Sequence, residues 1–196
     1  MSSNIYIGNS IVIRHISLGD NAMLHEWLKF PDFSFYRPCL SEICPSAIDL
    51  VERAIRVKQL TPPLEIEVII EHFATRNPIG IMALSNIDHV NRKAEFSIGF
   101  IRGQGTRCSM EALHFGLEQA FSILNMRKLV FYIAVGNERA KRFMVHNNMI
   151  KEGLFKEELL FSSGQTLDIY RYALLASGWK DSKLCKTLQR IVPLTK

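Results

Sequence analysis

The chain has 196 residues, 47% hydrophobic and 22% charged, the size and composition of one globular domain with a real core. This excludes a disordered tail protein, a collagen-like chain and a disulfide scaffold. Of the formal net charge of +5, the segment from Lys180 to Lys196 carries +4 (five basic residues against Asp181). Residues 1–179 are therefore close to neutral, which argues against a nucleic-acid-binding body.

No stretch approaches the ~20 apolar residues of a membrane span. Met1 to Gly8 lack the basic-then-apolar pattern of a secretory leader, so a cytoplasmic protein is expected. Cys39, Cys44, Cys108 and Cys185 form no Cys-x-x-Cys pair and have no histidine at zinc-ligand spacing. Four reduced thiols and no bound metal are the expectation.

In chain order, Ile11 to Ile16 predict a first strand. Ser17-x-x-Asp20 opens a helix carrying Leu24, Trp27 and Leu28 at helical spacing, which Pro31 ends. Phe30, Phe33, Phe35 and Tyr36 lie with three prolines in an aromatic loop over 30–45, and a second helix follows from about Ser46 to Leu60. Glu65 to Ile70 alternate as a strand, and 79–101 reads as a hairpin turning at Asp88 to Arg92. After the loop Arg102 to Arg107, Met110, Leu113, Leu117, Ala120, Phe121 and Leu124 give the clearest helical pattern in the chain, with His114 assigned to its polar side. Leu129 to Val135 is a strand, Asn137 opens a helix ending near Asn147 and Asn148, and Ile150 to Phe161 pairs with Leu167 to Leu175 as a last hairpin. Leu184, Leu188 and Ile191 give the C-terminal segment one apolar stripe, so residues 180–196 are expected to form a basic helix appended to a domain over 1–179. That helix docks either on the body or on a second copy in a homodimer; a surface-active helix for an acidic partner is the alternative.

The stretch Arg102-Gly103-Gln104-Gly105-Thr106-Arg107 between a strand and a helix is a recipe for holding phosphate, because glycines allow close backbone approach and the first helical amides have no intrahelical acceptor. Cys108 breaks the Rossmann spacing, and no P-loop lysine is present. Taken alone the hexapeptide is equally a Gly-rich turn.

Its surroundings resemble the GNAT superfamily of acetyl-CoA-dependent N-acetyltransferases, whose pyrophosphate loop reads Gln/Arg-x-x-Gly-x-Gly/Ala. Arg102 and Gly105 match, and Arg107 replaces a small residue. Met110-Glu111-Ala112-Leu113, Asn137-Glu138-Arg139-Ala140 and the segment from Asn147 to Gly153 are similar to the family's later motifs. Ile87 to Phe96 and Phe121 to Leu129 are most similar to spermidine N-acetyltransferases and to ribosomal-protein N-terminal acetyltransferases. The resemblance covers about residues 10–175. It implies a mixed α/β (α+β) fold with a six- to seven-stranded mixed sheet and about four flanking helices. It also implies acetyl transfer from acetyl-CoA, a cosubstrate, to an amine by direct attack.

On that resemblance, the loop amides and their flanks (Phe100, Ile101, Arg102, Gly103, Gln104, Gly105, Thr106, Arg107, Cys108 and Ser109) would hold the coenzyme. Asn137 and Lys141 would complete its contacts, although Asn137 is equally a helix N-cap. Arg107 either adds charge to a phosphate or points to solvent. The family places a tyrosine proton donor seven residues after that asparagine, where this chain has Met144, which cannot donate. Tyr132, Tyr170 and Tyr172 are the alternatives, and a catalytically degenerate coenzyme binder is the second reading. Glu95 and Glu158 are the candidate bases, although a structural or solvated carboxylate is the favoured reading of each, and Asp168 is read as structural. The acceptor is expected to be a small amine, an aminosugar or a protein N-terminus. The charges of residues 30–65 are balanced and select no tricationic polyamine.

Overall fold

The computed structural model describes residues 4–29, 46–161 and 163–193. Among them lie eight strands: β1 (Asn4–Ile7), β2 (Ile11–His15), β3 (Ile66–His72), β4 (Pro78–Asp88), β5 (Lys93–Phe100), β6 (Lys128–Ala134), β7 (Ile150–Leu160) and β8 (Thr166–Leu175). The helices are α1 (Asn21–Trp27), α2 (Ala47–Lys58), α3 (Arg107–Glu118), α4 (Glu138–His146), α5 (Ala176–Trp179) and α6 (Lys183–Ile191). The predicted aromatic loop, with Cys39 and Cys44, lies outside the described residues.

The strands form one sheet in the order β1-β2-β3-β4-β5-β6-β8-β7, one strand more than expected. Every pairing is antiparallel except β5 with β6. Alternation along the strands sends Val68, Ile70, Met82, Leu84, Ala94, Phe96, Leu129 and Phe131 to one face, beneath α3, α4 and α6. Ile69, Ile81 and Ala83 go to the other face, beneath α1 and α2.

The unpredicted strand is β1. Its residues are mostly exposed, so it shows no burial alternation. It is tied down by Glu111, which is fully buried on α3. The Glu111 carboxylate accepts from the Tyr6 hydroxyl at 2.9 Å, from the amides of Asn9 and Ser10 at 2.8 Å each, and from the Ser10 hydroxyl. Glu111→Ala removes the carboxylate that these partly buried donors share and is expected to cost about 3 kcal/mol in urea unfolding. A cost below about 0.5 kcal/mol, the level of a neutral surface change, would mean that the β1–β2 hairpin is held by something else.

The C-terminal segment is helical, as its stripe predicted, and it docks on the body. Leu184, Cys185, Leu188 and Val192 are buried in the α3-side core. Trp179 is buried against Phe121 with ring centroids 5.8 Å apart, and its Nε1 donates to Glu118 at 3.1 Å. Docking also corrects the reading of His114. It is buried rather than on a polar face, and its Nδ1 donates to the Val192 carbonyl at 2.8 Å.

Candidate functional site

The parallel pairing of β5 with β6 lasts only from Lys93 to Glu95, opposite Lys128 to Val130. Beyond it the two strands part, while β5 continues to pair with β4 as far as Phe100. The result is a cleft that opens toward the loop at 102–107. The Ile101 amide donates to the Ile79 carbonyl at 3.0 Å, on the β4 side. By the two-residue alternation of a strand, the amides of Phe100 and Ile98 then face the cleft. This narrows the expectation for Ile101, whose amide is committed.

At the cleft mouth Gly103 and Gly105 have φ of +79° and +75°, the left-handed region that glycine occupies without strain. Loop side chains hold the turn. Gln104 Nε2 donates to the Phe100 carbonyl at 2.5 Å, the Thr106 hydroxyl donates to the Gly103 carbonyl at 2.6 Å, and the Ser109 hydroxyl donates to the Thr106 carbonyl at 2.9 Å. The Thr106 amide closes on Gly103 at 3.2 Å. Among the described residues the amides of Gly103, Gln104 and Gly105 have no acceptor, and the first-turn amides of α3 lie beyond the reach of its own carbonyls. Six amides without an acceptor thus lie close together in the chain at a helix N-terminus, an arrangement suited to a phosphate. The Cys108 side chain is buried and turns its Sγ to the Ser10 carbonyl at 3.5 Å, so it offers the spot its amide alone. Arg102 and Arg107 are exposed beside the loop.

Asn137 caps α4, its Oδ1 accepting from the Ala140 amide at 3.0 Å, and its side-chain nitrogen remains available. The Lys141 ammonium is held by Glu138 at 2.6 Å and lies 6.0 Å from the Tyr170 ring centroid. Met144 is buried in the α3-side core. Tyr172 is buried on the same side and Tyr170 packs against that core, which puts Tyr132 on the opposite sheet face.

Glu95 alternates with buried Ala94 and Phe96 and so faces the α1–α2 side, at the last rung before the strands part. Its Oε1 accepts from Asn86 Nδ2 at 2.9 Å, and Asn86 (φ +48°) sits in a bulge of β4. Burial, and next the Glu95 carboxylate, push the Tyr132 phenol above its ordinary pKa, with Glu158 and Glu152 adding to the rise and Arg171 opposing it. Glu158 is exposed in a β7 bulge. The bulge is pinned by Asp168, which accepts from the Glu157 amide at 2.8 Å and pairs with Lys156 at 2.7 Å. The fold therefore gathers Glu95, Tyr132 and Glu158 around one side of the sheet, and it takes Asn137 and the loop to the other end of the cleft. The sequence reading had passed over Arg139 as a site residue. A Cβ built on Gly105 would stand 3.6 Å from its Nη2. No local sequence signal carries this, because Gly105 lies in the loop before α3 and Arg139 in α4. Among the described residues no group of three His, Cys, Asp or Glu side chains is placed to hold a metal ion, and no helix is long and apolar enough to cross a membrane.

The pattern of the acetyltransferase (GNAT) domain matches residues 10–150. Spermidine N(1)-acetyltransferase of Vibrio cholerae serotype O1 is 31% identical over 107 residues, 54% of this chain and 61% of its own. YdaF of Bacillus subtilis (strain 168), named provisionally as a ribosomal N-acetyltransferase, is 29% identical over 105 residues, 53% of this chain and 57% of its own. The matched part of this chain thus spans about three fifths of each of these relatives. The crystal structure of spermidine N-acetyltransferase from Vibrio cholerae in complex with CoA and spermine superposes with a TM-score of 0.69 at 25% identity, over 86% of this chain and 96% of that one.

Proposed function

Because this chain belongs to the acetyltransferase (GNAT) domain family, we propose that it transfers an acetyl group from acetyl-CoA to a primary amine. The observation that carries this reading is the parting of β5 from β6 with a glycine loop of free amides at its mouth. Acetyl-CoA when bound supplies the acetyl thioester. The loop amides of Gly103, Gln104 and Gly105, with the first turn of α3, would hold its pyrophosphate. The cleft-facing amides of Phe100 and Ile98 would take the pantetheine as an added strand and orient it, which supplies much of the rate through proximity. Glu95 would accept a proton from the acceptor ammonium, directly or through one water, and Asn86 would keep its carboxylate turned toward the cleft. The side-chain nitrogen of Asn137 is free to meet the coenzyme from α4.

The name of the Vibrio relative makes spermidine the first acceptor to test, followed by small amines, aminosugars and peptides with free N-termini. Thiol release from acetyl-CoA against this panel tests the reading. No acceptor-dependent release, with coenzyme still bound, would leave the second reading, a coenzyme-binding protein without chemistry. Buried Met144 favours that reading, since it cannot reprotonate a thiolate. Glu95→Gln is expected to lower kcat about a hundredfold, as loss of a general base does, and to leave coenzyme affinity unchanged. An unaltered kcat would move the base to Glu158.

A further inference from the structure

The sheet parts just beyond the rung where Glu95 of β5 stands opposite Val130 of β6. Side chains alternate along a strand, so the next β6 side chain on the face of Glu95 is Tyr132, about 7 Å further along. It is the first on that face past the last paired rung, at the inner end of the cleft. Tyr132 is half-buried, and among the described residues its hydroxyl has no hydrogen-bond partner. Its ring is the part that is held. Arg171 stands opposite on β8, with its guanidinium carbon 5.8 Å from the ring centroid and its Nε on Glu152 at 3.0 Å. The tyrosines of β8 are placed differently: Tyr172 is buried on the α3 side, and Tyr170, on the same side, has the Lys151 ammonium 4.2 Å from its ring centroid. A phenol fixed by its ring, with its hydroxyl unused at the inner end of a cleft, is both a proton donor and a proton acceptor in waiting.

On the acetyl-transfer reading above, we propose that Tyr132 is the proton donor to the leaving sulfur, a role that Met144 on α4 cannot fill. A thioester lying between β5 and β6 is in the plane of the sheet, so its sulfur is open to either face, and the donor comes from β6 on the face of Glu95. The acceptor ammonium gives its first proton to Glu95. The amine nitrogen then bonds to the thioester carbon, and the C–S bond breaks with its electron pair leaving on sulfur. Tyr132 Oη passes its proton to that sulfur and takes the second proton from the nitrogen, in one cyclic path. The phenol is restored, no free phenolate forms, and the proton on Glu95 returns to water. Burial, and next the Glu95 carboxylate, hold the Tyr132 phenol above its ordinary pKa, with Glu158 and Glu152 adding and Arg171 opposing, so it stays protonated for this exchange at neutral pH.

Incorporation of 3-fluorotyrosine at position 132 tests the contact without turnover. Its fluorine resonance is expected to shift on adding CoA and to shift less on adding desulfo-CoA, which lacks only the sulfur. Tyr132→Phe keeps the ring against Arg171. It should leave CoA affinity, read by calorimetry, within a factor of about two and lower kcat about a hundredfold, as loss of a general acid does. The acceptor for that assay is the amine of the panel above that releases thiol fastest. Identical fluorine shifts with CoA and desulfo-CoA would overturn the proposal. So would an unaltered kcat in Tyr132→Phe, or a fall in its CoA affinity as large as the fall in kcat, which would make the phenol a packing group. Failure of the unaltered chain to release thiol with any amine of the panel, with CoA still bound, would overturn the acetyl-transfer reading itself, and the proposal with it.

Discussion

Removing residues 180–196 is expected to cost the domain most of its stability. The segment carries most of the net charge, and its sequence reads as a helix appended to a domain over 1–179. In the structure it completes the core over α3. Leu184, Cys185, Leu188 and Val192 are between 0% and 6% exposed, and the Val192 carbonyl is the acceptor for the buried His114 imidazole. Four buried side chains at roughly 1.5–3 kcal/mol each amount to a loss of the same order as the ~5–15 kcal/mol that holds a whole domain folded. Their partners on α3 would be uncovered at the same time, and His114 would lose its acceptor. A chain ending at Trp179 should therefore melt at least ~15 °C lower than the full chain, or fail to accumulate as folded protein. Leu188→Ala keeps the question measurable, because it leaves the chain intact and should cost about 3 kcal/mol in urea. Coenzyme affinity of that folded variant should stay within a factor of about two, since α6 contributes no group to the loop. A truncated protein that melts within a few degrees of the full chain would show that the segment rests on the body without supporting it.

The distinction between appendage and core explains what could be read from the chain and what could not. The elements themselves were legible because each obeys a local rule. Helix α3 and the π-helical turn Gln119–Ile123 that continues it follow from the spacing of Leu113, Leu117, Ala120 and Phe121, the hairpin of β4 and β5 from the polar turn at Asp88 to Arg92, and the start of α4 from the capping side chain of Asn137. The turn at 102–107 was legible because its glycines take positive φ, as Gly103 and Gly105 do. What stayed hidden depends on elements distant in sequence. His114 looks like an exposed polar residue until Val192 covers it, 78 positions later. Strand β1 has no burial pattern of its own and is held by Glu111, about a hundred residues away. Arg139 Nη2 stands 3.6 Å from the place of a Gly105 Cβ although the two residues are far apart in the chain. The candidate acids and bases lie between these cases. Alternation alone puts Glu95 on the face opposite Phe96, but its neighbours Tyr132 and Glu158 come from strands paired further along the sheet.

Gly105→Asp should weaken coenzyme binding at least tenfold in a chain that remains folded. Gly105 sits at φ +75° in an exposed part of the loop. Aspartate tolerates this region better than most residues, so the backbone strain is on the order of 1 kcal/mol. The new Cβ meets Arg139 Nη2 at 3.6 Å, an ordinary contact that does not force the helices apart. Charge is the larger effect. The aspartate carboxylate would lie among the free amides of Gly103 and Gln104, the groups proposed to receive the pyrophosphate. It would satisfy those donors internally and repel a ligand of the same sign. The acetyl-CoA Kd is expected to rise at least tenfold, ~1.4 kcal/mol, and Gly105→Asn, with the same shape and no charge, should lie between the variant and the parent. Adding salt should relieve part of the Asp defect and none of the Asn defect, because screening acts on the repulsion and leaves the backbone strain as it is. Equal affinities for Gly105→Asp and the parent would show that the phosphate does not sit at this loop. Equal losses for Asp and Asn would show that the glycine is needed for its backbone alone, and that the loop's field contributes nothing to holding the coenzyme.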